Sequence, residues 1–165
     1  MNIFILSLFL MSSFPELKTV SNIDLQKYSG TWYEIARLPN SFEKGLKNIT
    51  ATYEIIDGSH VRVINKGVKE NDGTVSTARG KAKIPNLKEP GKLKVTFFWP
   101  FYGKYWVFHL DEKDYQYALV GHPNRNYFWI LARTPKIDET LYQSLLKIAA
   151  DNSFDVSKVI RPQQD

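Results

Sequence analysis

The chain carries three histidines, His60, His109 and His122, and no cysteine. Metal binding and nucleophilic catalysis need such groups to converge, and the spacings that achieve this are recognisable. None of the three histidines has a partner at ligand-like or triad-like spacing. His109, with Asp111 two residues on, takes the inward parity of a strand-like run. It reads as a satisfied interior histidine, because a catalytic base also needs a positioned nucleophile and an oxyanion site. Glu34 shares parity with Trp32 and is expected to be partly buried, which demands a cation or hydrogen bonds and raises its pKa. A single carboxylate of that kind is not an active site. The missing thiol excludes disulfides, thiolate metal sites, a cysteine nucleophile and a lipid-modified N-terminal cysteine. The expectation is a protein that is not an enzyme, with no catalytic residue, no metal and no cofactor.

A different pair stands out as structural chemistry. Ser29-Gly30-Thr31-Trp32-Tyr33 opens a strand, and the last strand-like run ends in Arg133. A glycine ahead of Trp32 lets the backbone turn sharply, and the indole then presents a broad flat face. A guanidinium covers such a face by cation–π attraction while its fork of donors caps nearby carbonyls. Gly30, Trp32 and Arg133 are therefore read as bracing for the fold.

The elements that hold these residues follow from composition and pattern. At 165 residues, 43% hydrophobic and 14% aromatic, the chain has material for one domain with a sizeable core. Its net charge of +5 comes from 22 basic and 17 acidic residues that are interleaved, with no basic stripe, so nucleic acid is excluded as the expected partner. The excess favours an anionic headgroup or membrane surface.

Runs rich in Val, Ile, Thr and aromatics recur at Thr31–Leu38, Ile49–Ile56, His60–Gly67, Ser76–Ile84, Lys92–Phe98, Lys104–Leu110, Tyr115–Val120 and Tyr127–Arg133. Turn residues at Asp57-Gly58, Asn71-Asp72-Gly73, Glu89-Pro90-Gly91 and Pro123-Asn124 punctuate them. Short strands in succession with no helix between them form an antiparallel meander, closed as a barrel or folded as a sandwich. The period then changes. Leu141, Leu145, Ile148 and Ala149 fall on one helical face within Glu139–Asp151, with Asp138 as N-cap. Phe154–Ile160 is expected to add an edge strand.

The stretches Gly30-Thr31-Trp32-Tyr33-Glu34-Ile35-Ala36-Arg37, Val63-Ile64-Asn65-Lys66-Gly67, Trp99-Pro100-Phe101-Tyr102-Gly103 and Trp129-Ile130-Leu131-Ala132-Arg133-Thr134-Pro135 resemble the lipocalin family. They resemble its bacterial outer-membrane branch and, among animal members, its apolipoprotein D-like branch. The likeness runs from about Tyr28 to the C-terminus. The family's second motif, a Thr-Asp-Tyr turn, is present only loosely as Leu110-Asp111 followed by Asp114-Tyr115. The resemblance implies an all-β fold: an eight-stranded antiparallel up-and-down barrel, closed at one end and open at the other, with the amphipathic helix packed outside. Such a barrel has room for one small ligand.

Alternation assigns the faces. Ala51, Tyr53 and Ile55 point inward against Thr50, Thr52 and Glu54, as do Val61, Val63 and Asn65, then Ala78, Gly80 and Ala82, then Leu93, Val95 and Phe97. Ala and Gly on an inward face leave volume unfilled. The sixth and eighth runs are apolar on both sides, and there the resemblance places Tyr105, Val107, Tyr127, Trp129 and Leu131 toward the cavity. The expected ligand-binding set is Ala51, Tyr53, Ile55, Val63, Asn65, Ala78, Val95, Phe97, Tyr105, Val107, Trp129 and Leu131. An apolar, aromatic lining with few polar groups suits a fatty acid or lysophospholipid. Lys44, Lys47, Lys69, Lys104 and Arg125 are expected to ring the mouth and favour an anionic or zwitterionic head.

Binding, storage or transport of such a ligand is the expected function, with membrane maintenance as its setting. The alternatives are an enzyme on the same barrel acting on a lipid or isoprenoid, and an interaction module using Trp99, Phe101 and Tyr102 for dimerisation or membrane contact. Ile3–Leu10 is apolar, too short to span a bilayer, and followed by Ser12 and Ser13. Residues 1–15 are therefore read as a signal peptide or disordered N-terminal segment, and 20–165 as one barrel domain. The implied location is exported: periplasmic or outer-membrane associated if bacterial, otherwise secreted, without a lipid-anchor cysteine.

Overall fold

A computed structural model describes residues 14–165. The apolar run Ile3–Leu10 lies outside the described residues. Eight antiparallel strands close on themselves in sequence order: β1 Gly30–Arg37, β2 Leu46–Ile55, β3 His60–Lys69, β4 Val75–Lys83, β5 Lys92–Phe98, β6 Phe101–Leu110, β7 Tyr117–Gly121 and β8 Phe128–Ala132. The β1–β8 pairing completes the ring, while β4 and β5 pair only over Lys81–Lys83 and Lys94–Thr96.

The turns form where side chains supply local acceptors. Asp57 accepts the backbone N–H groups of Ser59 and His60 between β2 and β3. Asp72 accepts that of Thr74 between β3 and β4, beside Gly73 at φ 72°. In the turn between β6 and β7, Asp111 accepts from the N–H of Gln116 while Tyr115 takes a positive φ of 54°. That is how the loosely matched second motif is built.

The ladders shift register at four places, among them Lys47/Thr50 on β2 and Val95/Phe98 on β5, and the other two reassign side chains between the faces. One lies between Glu34 and Ala36 on β1, the other between Val107 and His109 on β6. Each inserts a residue, so the inward parity resumes one position later. Arg37 accordingly joins Glu34 on the inner face beside Trp129. His109 is turned out of the barrel, where it stacks on Tyr117 at 6.0 Å. This corrects the inward placement expected from simple parity, and Leu110 takes the interior position instead.

Two hydrophobic cores result. One fills the lower barrel with Trp32, Val61, Val63, Leu93, Val107, Leu110, Ala118 and Leu131. The other lies between the barrel wall and α2. A short helix α1, Leu25–Tyr28, capped by Asp24, crosses the closed end. Helix α2, Glu139–Asp151, is capped by Asp138 and buries Tyr142, Leu145 and Ala149 against Ile35, Leu119, Phe128 and Ile130. Leu17 is fully buried in this second core, so the packed unit begins ahead of residue 20.

The C-terminal segment departs from the expected edge strand. Val156–Lys158 is a single 3₁₀ turn, and only Ile160 pairs with the barrel, through Arg37. Beyond Tyr33 and Thr50, β1 and β2 part. The tail fills that gap: Gln163 O accepts from Asn48 N–H, and the Gln164 amide donates to the carbonyls of Glu34 and Ile49.

Candidate functional site

Strand direction places four connections at the open end: residues 38–45, 70–74, 99–100 and 122–127. The inner faces below them form a cup. Tyr53, Val63, Val107 and Leu131 belong to its buried wall, with Ala51, Ile55, Val95, Phe97, Tyr105 and Trp129 packed against them. Register puts Asn65 opposite both Ala51 and Ala78 on the same face. Asn65, Ala78, Val95, Phe97, Tyr105 and Trp129 keep solvent access. The set singled out from the sequence thus shares one surface, but at different depths.

Ile55 lies deepest. It lines a hollow at the closed end with Ile23, Ile84 and Leu87, so it belongs to the floor. Gly80 does not leave open volume either. A Cβ there would stand 2.4 Å from the Thr96 carbonyl oxygen and 2.8 Å from the Phe97 ring. The bare backbone is what lets Phe97 lie against β4. The open part of that wall is nearer the mouth, at exposed Ala78.

Three tyrosine hydroxyls cross the cup. Tyr105 OH meets Tyr53 OH at 2.7 Å and Tyr28 OH at 3.0 Å. Burial pushes the Tyr28 phenol up to about 12 and raises Tyr53 and Tyr105 as well, so all three remain neutral hydrogen-bonding groups. Below them Trp32 Nε1 donates to Tyr28 O. The Arg133 guanidinium lies 3.8 Å from the Trp32 ring centroid and donates to the carbonyls of Tyr115, Thr31 and Lys27.

At the mouth the structure shows a polar cluster that sequence reasoning missed. Arg37 Nη1 donates to Glu34 Oε1 at 2.6 Å, and its Nη2 donates to the Glu43 carbonyl at 3.0 Å. The Glu43 carboxylate sits 3.8 Å from Arg37 Nε and accepts from Trp129 Nε1 and the Asn40 amide. Burial and the neighbouring Glu43 raise the Glu34 pKa well above its ordinary value, with Arg37 opposing them. Trp129 stacks on Tyr127 at 6.0 Å, and Phe42 lies against both rings. Phe42 and Glu43 therefore fold the first mouth loop over the cup. The signal available in the sequence was Glu34 alone; the bulge that brings Arg37 inward leaves no trace in alternation.

The basic ring is thinner than expected. Arg125 is buried, and it donates to the carbonyls of Asn152, Pro123 and Pro15 as a structural clamp. Lys47 pairs with Asp165 at 3.7 Å. Lys44, Lys69 and Lys104 are exposed.

The histidines do not converge. His60 Nδ1 faces both Ser59 Oγ at 3.0 Å and Asp57 Oδ1 at 2.9 Å. A proton relay needs the hydroxyl and the carboxylate on opposite ring nitrogens, so this is a turn brace. Among the described residues no group of three acidic or histidine side chains is placed to hold a metal ion.

Comparison with known proteins agrees with this geometry. A family model described as a lipocalin-like domain matches residues 23–164. "Outer membrane lipoprotein Blc" of Escherichia coli K12 is 47% identical over 145 residues, covering 88% of this chain and 81% of that protein. Apolipoprotein D of Macaca fascicularis is 37% identical over 150 residues, covering 87% and 78%. Insecticyanin from the tobacco hornworm Manduca sexta superposes with a TM-score of 0.74 at 27% identity, covering 92% of this chain and 86% of that one.

Proposed function

The chain belongs to the lipocalin family, and from that premise we propose that it binds one small hydrophobic or amphiphilic molecule, a fatty acid or lysophospholipid, for storage or transport. The observation that carries this reading is the solvent-accessible inner wall at Ala78, Val95, Phe97, Tyr105 and Trp129, above a core of buried side chains such as Trp32, Val61 and Leu110. Apolar burial supplies the affinity, at about 0.8 kcal/mol per CH₂, so chain length governs it. The tyrosine hydroxyls and Asn65, whose buried Oδ1 has no partner, are the polar groups available along the wall.

Binding without catalysis is supported by how the titratable groups are used. Glu34 is held by Arg37, and His60 braces its own turn. The bacterial relative is an outer membrane lipoprotein, which supports an exported protein of the cell envelope. Homodimer formation and peripheral membrane contact compete for the same exposed aromatics at the mouth.

The test is to extract the purified protein with organic solvent and identify co-purified lipids by mass spectrometry, then titrate a series of lysophospholipids. The expected result is a retained amphiphile and an affinity that rises with each added CH₂. A substrate converted to product during incubation, or affinity independent of chain length, overturns the proposal.

A further inference from the structure

The β5–β6 hairpin carries apolar surface that no packing explains. Phe98 and Trp99 are each 81% exposed, Phe101 78% and Tyr102 38%. The rest of the mouth adds Phe42, Val75 and Tyr127, whereas the opposite end exposes Ile56 and Leu87 among its large side chains. Exposed patches of this size on a soluble surface mark contact sites.

Beside the hairpin lies an uncompensated charge. Strands β4, β5 and β6 contain Arg79, Lys81, Lys83, Lys92, Lys94 and Lys104 and no acidic residue. Lys83 pairs directly across from Lys94, and Lys94 across from Lys104. Like charges directly opposite one another on a sheet are destabilising. Among the described residues none of these three lysines forms an ion pair, although Lys92 does. Lys83 rests over the Tyr102 ring at 4.5 Å and Lys104 over Trp106 at 5.7 Å, so the ladder and the aromatic tip form one surface.

We propose that this surface docks the protein onto an anionic lipid bilayer, with Phe98, Trp99 and Phe101 entering the interface and Lys83, Lys94 and Lys104 meeting the headgroups. The dimensions suit that partner. Lys104 is three residues from Phe101 along β6, about 10 Å at ~3.4 Å per residue. Interfacial side chains bury themselves by about 5–10 Å, and the screening length at 0.1 M salt is about 10 Å. Tip and ladder thus reach apolar and charged layers together. Aromatic side chains favour that boundary. A nucleic acid or an acidic peptide offers the lysines charge but gives the apolar tip no layer to enter. Docked in this way, the mouth faces the membrane, so an amphiphile passes between bilayer and cup without crossing water. That consequence rests on the proposed function; the docking itself does not.

The experiment is co-sedimentation of the full chain with phosphatidylcholine vesicles and with phosphatidylglycerol–phosphatidylcholine vesicles, at rising salt. Binding is expected only to the anionic vesicles and weakens with salt. A Lys83→Gln/Lys94→Gln/Lys104→Gln variant is expected to lose about a hundredfold in affinity, at roughly fivefold per lysine near an anionic surface. A Trp99→Ala/Phe101→Ala variant loses vesicle binding while its lysophospholipid affinity, measured without vesicles, stays at the parent value. Equal binding to both vesicle types, or an unimpaired lysine variant, overturns the proposal. So does a parent that ignores vesicles yet sediments as a dimer that the tip variant abolishes. A parent that docks but retains no amphiphile would sink the carrier reading and leave docking standing.

Discussion

Trp129 and Glu43, 86 residues apart in sequence, are joined by a hydrogen bond of 3.1 Å from the indole Nε1 to the carboxylate. The link ties a side chain of the inner wall to the first mouth loop. The same carboxylate holds Asn40, and the Glu43 carbonyl holds Arg37, so one residue fixes the loop above the cup. Phe42, next to it, covers the Tyr127–Trp129 stack.

Replacing Glu43 with Ala is expected to release this loop. Loss of the Trp129 and Asn40 hydrogen bonds leaves Phe42 free to leave the stack, so association and dissociation of a fluorescent fatty acid should both quicken several-fold while the equilibrium affinity changes little. Stopped-flow mixing measures the two rates. Unchanged rates with a normal fold would show that the loop does not gate the cup.

Trp129→Ala acts differently, since it removes wall area. Losing a large, partly buried ring should weaken lysophospholipid binding by about 1.5–3 kcal/mol, roughly tenfold or more, while the barrel still unfolds cooperatively. Isothermal titration alongside a thermal melt separates the two effects. Affinity equal to the parent would place the ligand elsewhere.

Arg133→Ala and Trp32→Ala are expected to affect the fold more than the site. Arg133 spans three carbonyls and the Trp32 face at the closed end. With charge-assisted hydrogen bonds at about 1.5–3 kcal/mol each but partly exposed here, the net loss should be about 2–3 kcal/mol. Trp32 is fully buried, and its truncation should cost about 3–5 kcal/mol. Urea unfolding checks both; a loss under about 0.5 kcal/mol, within the range of ordinary surface changes, would remove the bracing role.

The barrel was legible because the middle stretches of β2 to β5 alternate, as in Ala51, Tyr53 and Ile55 against Thr50, Thr52 and Glu54, and because acceptors such as Asp57 and Asp72 mark the turns. Helix α2 was legible through Asp138 and the spacing of Leu141, Leu145 and Ala149. What escaped depends on irregularity. A bulge flips a side chain without changing composition, which is why simple parity puts His109 in the interior and leaves Arg37 outside. Depth also escaped: alternation tells which face Ile55 takes but not that its end of the strand is the floor. The Gly80 notch required knowing that Phe97 on the neighbouring strand fills it, a contact between residues whose pairing the sequence does not print.

Gly80→Ala tests that notch. The new methyl would meet the Thr96 carbonyl and the Phe97 ring well inside contact distance, so either the β4–β5 spacing or the ring must shift. Overpacking of this kind costs about 1–3 kcal/mol. If Phe97 yields, it swings toward the cup and shortens the space for an acyl chain, so the longest lysophospholipids should lose affinity first. Parent-like stability together with a parent-like chain-length profile would mean that the wall tolerates the methyl.

The Glu34 carboxyl supplies the pH dependence. Burial, first, and the nearby Glu43, second, raise its folded-state pKa well above 4.5, against the pull of Arg37. In the unfolded chain it titrates near that ordinary value. The unfolded state therefore loses its proton first as pH rises, and the protonated folded form is progressively disadvantaged. Glu34's contribution to stability is fully present below about pH 4.5 and is lost as pH climbs through the elevated folded value. Glu34→Gln keeps an acceptor for Arg37 but cannot ionise, so the difference in urea stability between parent and variant should shift steadily in the variant's favour with increasing pH. Other carboxylates contribute equally to both proteins and cancel in that difference. If the difference stayed flat, or moved the other way, the Arg37 ion pair would outweigh burial and Glu34 would be charged in the fold. The mouth cluster would then carry one more negative charge, which works against an anionic headgroup entering beside Trp129.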